Sequence, residues 1–141
     1  MKYTETNIIP AFLEKFPEFG PVWKKNRGNW EKHEDWKWED PASSCAFMME
    51  FAIYVIDNIT SMSEEKKRDI FDFMETLLQE GDEDVGTSVC TGFLESLVNF
   101  PSERISPDSF VPFLGKESRE YYKGWDDFTG VKTPGLWPDN K

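Results

Sequence analysis

The sequence predicts an all-α fold, a single-domain irregular helical array of about five or six helices paired in antiparallel hairpins. Three observations carry this. Apolar residues recur at helical spacing through most of the 141 positions. Capping residues, prolines and glycines fall where those runs start and stop. No alternating run is long enough to make a sheet.

In the first element, residues 5–16, Ile8, Ile9, Phe12, Leu13 and Phe16 lie at helical spacing until Pro17. Residues 17–41 read as a long Trp-rich loop. Pro17, Gly20, Pro21, Gly28 and Pro41 punctuate it, and Trp23, Trp30, Trp36 and Trp38 supply anchors. A second helix runs from about Ala42 to Asn58, apolar on most sides and so central. Ser63 caps the third, with Glu64 and Glu65 in its first turn and a stripe of Ile70, Phe71, Met74, Leu77 and Leu78. Gly81 ends it.

Asp82 or Asp84 caps a fourth helix reaching about Phe100, and the single-glycine joint makes these two an antiparallel hairpin. Ser106-Pro107-Asp108 starts a short helix through Phe110, Val111, Phe113 and Leu114. The last helix, about Lys116–Phe128, carries Tyr121, Tyr122, Trp125 and Phe128. Residues 129–141 form an irregular tail, with Val131, Leu136 and Trp137 holding it to the body.

Charge is distributed unevenly. Residues 41–100 hold 3 Lys and Arg against 12 Asp and Glu, whereas the segments on either side are each within one charge of neutrality. Almost all of the formal −11 therefore falls on the central helices. Such a field attracts a basic partner and repels nucleic acid and anionic lipid. Aromatics make up 16% of the chain, too much ring for a disordered acidic polypeptide. No secretory leader is expected from the first residues, and the apolar run near Ala46–Ile56 is too short to span a bilayer. With only Cys45 and Cys90, a cytoplasmic location with reduced, buried thiols is expected.

No catalytic constellation is present. His33 is the single histidine and lacks partners at zinc-ligand spacing. Asp82-Glu83-Asp84-Val85-Gly86 fails as a calcium loop, with glycine fifth and Phe93 at the twelfth position. No metal or cofactor is expected. The loop 17–41 interleaves Lys24, Lys25, Arg27, Lys32 and Lys37 with its tryptophans, as single-strand binders do, but neighbouring acids cancel that charge.

Glu65, Asp69 and Asp72 lie at i, i+4, i+7 opposite the apolar stripe, and Glu75, Glu80, Asp82, Glu83 and Asp84 continue the same sign. Like charges at that spacing cost a few tenths of a kcal/mol, so retaining them points to a basic surface opposite.

Asp84-Val85, opening a helix that continues to Leu94 and Leu97, is similar to the second helix of a HEAT-type repeat, over one hairpin and without a repeat period. Farther on, Phe113-Leu114-Gly115-Lys116-Glu117-Ser118-Arg119, Trp125-Asp126-Asp127-Phe128-Thr129-Gly130 and Thr133-Pro134-Gly135-Leu136, with Phe93-Leu94-Glu95-Ser96-Leu97 before them, resemble the ending of a family of small acidic bacterial helical proteins. Some such proteins are immunity proteins beside secreted toxins or those of contact-dependent growth inhibition. The resemblance implies a toxin inhibitor and carries no catalytic residues.

The expected function is therefore an immunity protein binding a cognate toxin domain, a basic protein such as a nuclease. Glu65, Asp69, Asp72, Asp82, Glu83 and Asp84 would supply the field, and Trp30, Trp36 and Trp38 the anchors. The alternatives are a helical adaptor unrelated to toxins and, more remotely, an enzyme using carboxylates alone.

Overall fold

A computed structural model describes residues 2–28, 32, 41–99, 105–130 and 133–136. Among them the protein is all-α, and the one β-type contact is an isolated bridge between Tyr3 and Gly81. The helices are α1 (Ile8–Lys15), α2 (Gly20–Asn26), α3 (Pro41–Asn58), α4 (Glu64–Glu80), α5 (Glu83–Thr87), α6 (Glu95–Asn99) and α7 (Lys116–Thr129). A π-helical stretch, Ser88–Leu94, joins α5 to α6, so that 83–99 is continuous.

The predicted caps do what their chemistry requires. Ser63 Oγ accepts from the Lys66 amide at 3.1 Å, and Asp82 Oδ1 from the Val85 amide at 2.9 Å. Phe71 meets Phe93 with ring centroids 5.8 Å apart, while Gly81 packs on Val85, so α4 and 83–99 run antiparallel as expected.

Two elements depart from the sequence reading. Residues 17–28 are not loop: a 3-10 turn, Pro17–Phe19, leads into α2, and Phe19 and Trp23 are core residues. Pro21 falls in the first turn, where its missing N–H costs nothing, so the Gly-Pro pair begins a helix here. The helix expected at 106–114 is instead two 3-10 turns, Pro107–Ser109 and Val111–Phe113. Pro112 has no amide to return to the Asp108 carbonyl, which prevents an α-helix from continuing.

The core is a connected run of rings. Phe12 lies 4.5 Å from Phe51 and 5.1 Å from Phe47, and Trp23 packs on Phe47 at 4.9 Å. Phe51 reaches Phe93 at 5.9 Å, Phe93 meets Phe71, Phe71 meets Phe110 at 6.3 Å, and Phe110 meets Tyr122 at 6.0 Å. Aromatic packing thus ties α1, α2, α3, the π stretch, α4 and α7 into one body.

The π stretch packs most extensively on α3. It comes close at Gly92, where a Cβ would lie 2.7 Å from both the Cys45 carbonyl oxygen and Met48 Cβ. Carbonyls in and beside this stretch are taken by side chains: Ser96 Oγ donates to Gly92 O at 2.8 Å and Tyr122 Oη to Leu94 O at 2.5 Å. Gly92→Ala should therefore destabilise the protein by about 1–3 kcal/mol, the usual overpacking range, despite alanine's better helix propensity. Urea denaturation checks the sign, and an unchanged midpoint would mean that the two helices separate freely.

Candidate functional site

The acids of α4 face outward. Glu65, Asp69 and Asp72 are all exposed and share one stripe of the helix, because i, i+4, i+7 return to the same face. The cations of the same helix are held elsewhere. Lys66 contacts Glu18 and lies 5.0 Å from the Phe16 ring centroid. Lys67 and Arg68 approach the Phe113 ring at 5.6 and 5.7 Å, and Arg68 also pairs with Glu64 at 3.5 Å. Among the described residues no ion pair is formed by Glu65, Asp69 or Asp72. Their field is therefore not neutralised locally.

The second acidic group lies at the other end of α4, about 25 Å from Glu65 at helical rise. Asp82 is half-buried and is the cap of α5, Glu83 is exposed, and Asp84 is half-buried. The six acids thus form two groups, one along α4 and one at the joint. Glu75, which continues the same sign in the sequence, has a structural task. Its carboxylate accepts from the Glu117 amide at 2.5 Å and from the Ser118 amide and hydroxyl at 3.2 Å. It caps α7 from another helix, and a Cβ on Gly115 would lie 2.5 Å from that carboxylate. Trp30, Trp36, Trp38 and His33 lie outside the described residues.

Beside the joint is an open groove of about 590 Å³, lined by Leu78, Asp82, Glu83, Thr87, Cys90 and Tyr121 among others. A second, of about 340 Å³, is lined by Glu120, Tyr121, Gly124, Trp125 and Phe128. Tyr121 belongs to both. Its hydroxyl donates to Glu95, and burial together with that bond holds its pKa well above the usual phenol range. Burial, reinforced by Glu95, also pushes the Cys90 thiol up to about 11 and raises Cys45. Cys90 therefore remains a thiol at neutral pH. Both cysteines are free, and both are half-buried where full burial was expected.

No sequence pattern separates the aromatics Tyr121, Tyr122, Trp125 and Phe128 of α7. The structure splits them. Tyr122 is fully buried, whereas Phe128 is 83% exposed. The inward positions include Ser118 and Asp126. Asp126 accepts from the Thr133 amide and hydroxyl, each at 2.7 Å, and so ties back the chain beyond Gly130, whose φ of 81° closes α7.

A family model described as Domain of unknown function (DUF7674) matches residues 9–130. The chain belongs to the DUF7674 family. No curated protein and no solved structure matches it. The DUF7674 match runs from α1 through Gly130, so it takes in the acidic helix, both grooves and the Glu75 cap, while Thr133 and Leu136 lie past its end. Among the described residues of this DUF7674 protein, no three His, Cys, Asp or Glu side chains are grouped to hold a metal ion. No helix among them is long and apolar enough to cross a membrane.

Proposed function

We propose that this protein is an immunity protein of the cytoplasm that binds a cationic toxin domain, a basic nuclease being the partner such a charge fits, and blocks its substrate surface. The observation that carries the reading is the separation of charge on α4. Lys66, Lys67 and Arg68 are drawn onto Phe16 and Phe113, while Glu65, Asp69 and Asp72 remain exposed. A nucleic-acid enzyme presents a lysine- and arginine-lined cleft, and an anionic helix face competes for it as the substrate's phosphates do. The C-terminal resemblance to immunity-type proteins supports the same role.

Steering by exposed charge acts on the association rate. The triple variant Glu65→Lys, Asp69→Lys, Asp72→Lys is expected to slow association with the captured partner at least about tenfold at low salt. The difference should shrink as added salt shortens the Debye length to about 8–10 Å. Stopped-flow mixing of the immobilised chain's partner, captured from cells expressing the neighbouring gene, measures both. A rate indifferent to the reversal and to salt removes the electrostatic reading. A partner without toxin activity would make the protein an adaptor.

A further inference from the structure

We propose that the surface centred on Tyr121, where the two grooves meet, is the anchoring site for an arginine-bearing segment of the partner protein. The proposal rests on the partner being cationic, but it puts the anchor on α7 and the joint, away from the exposed stripe of α4.

Tyr121, Trp125 and Phe128 stand at i, i+4, i+7 on α7, and Phe128 is almost wholly in water. A large ring held that far out of the core makes no packing contribution that would explain it, whereas exposed aromatics at the centre of a concave surface are the usual anchors of protein interfaces. The acids decide the occupant. Asp82 and Glu83 line the groove on one side of Tyr121, and Glu120 lines the other. Among the described residues neither groove is lined by Lys or Arg, and Lys123 of the same helix pairs with Glu120 at 3.9 Å.

A guanidinium suits both halves of the surface, since it stacks flat on a ring and donates to carboxylates at its edge. The Tyr121 ring is already oriented, because its hydroxyl is committed to Glu95. An acidic peptide or anionic lipid would meet repulsion. So would a second copy, which brings the same acids and a net charge of −11.

The test is fluorescence anisotropy on the full chain with a fluorescein-labelled peptide of alternating arginine and glycine, with lysine and glutamate versions as comparators. Phe128→Ser and Glu83→Gln alter exposed side chains, and circular dichroism confirms that each variant is folded. The arginine peptide should bind more tightly than the lysine one and the glutamate one not at all. Each substitution should weaken binding about fivefold or more. Glu14→Gln, at an exposed acid of α1 that lines neither groove, should change affinity less than about twofold, and neutralising α4 (Glu65→Gln, Asp69→Asn, Asp72→Asn) should weaken binding less than either groove substitution does.

Equal binding of the lysine peptide overturns the guanidinium assignment. Loss of binding in the α4 variant with Phe128→Ser unaffected overturns this site while leaving the cationic-partner reading intact. Failure of the arginine peptide to bind, or binding of the glutamate peptide, overturns both. Concentration-dependent dimers abolished by Phe128→Ser would give the surface to self-association instead.

Discussion

Phe51→Ala is expected to lower the unfolding free energy by about 3–5 kcal/mol, the range for truncating a fully buried phenylalanine. Phe51 is fully buried and touches rings from α1, the 3-10 turn that follows it, the residue joining those two, and the π stretch. Its centroid lies 4.5 Å from Phe12, 5.7 Å from Phe16, 5.0 Å from Phe19 and 5.9 Å from Phe93. Truncation removes the transfer energy of the ring and leaves a hole that four constrained neighbours cannot close together. Since a domain of this size has a total stability of about 5–15 kcal/mol, the variant could fail to fold, so Phe51→Leu provides the second measurement. That substitution should cost clearly less, and urea denaturation of both reads the difference. A loss below about 1 kcal/mol for the alanine variant would mean that the rings do not form one packed body.

Glu75→Ala is expected to cost about 2–3 kcal/mol, and its sign is the informative part. A protein with a net charge of −11 should gain slightly when a surface acid is removed, through reduced self-repulsion. At Glu75 the opposite is expected. Removing its carboxylate strands the Glu117 and Ser118 amides and the Ser118 hydroxyl, with Ser118 only 1% exposed. Asp72→Ala is the matched control, an exposed acid one turn away whose loss should be near neutral. Thermal melts of the two variants against the parent separate the roles. A stabilised Glu75 variant would show that α7 does not depend on that cap.

What could be read in advance was what local chemistry determines. Ser63, Asp82 and Gly81 mark the hairpin of α4 and 83–99 because caps and a helix stop act within a few residues. The outward stripe of Glu65, Asp69 and Asp72 follows from the helical period alone. The elements misread were those where one residue type serves two purposes. Proline opens α2 at Pro21 and breaks the helix at Pro112, and only the neighbouring backbone decides which.

Contacts across long sequence separation were not legible. Nothing near Glu75 announces that its partners are 42 and 43 residues away. The outward turn of Phe128 could not be foreseen either, since a large ring normally goes inside and an aspartate does not. Asp126 takes the inward place because Thr133 folds back to satisfy it. The π stretch has no local signature beyond Gly92, where it packs tightly against α3.

The short bridge near the beginning of the chain bears on how the protein is made. The Lys2 and Tyr3 amides donate to the Glu80 carbonyl, Asp82 N–H donates to Tyr3 O, and the Tyr3 ring sits edge-on to Phe73. Tyr3 is synthesised long before any of these groups exists, so α1 leaves the ribosome with its leading segment unattached. That segment can be secured only once the chain has grown past the hairpin joint, so its docking cannot precede the synthesis of Asp82.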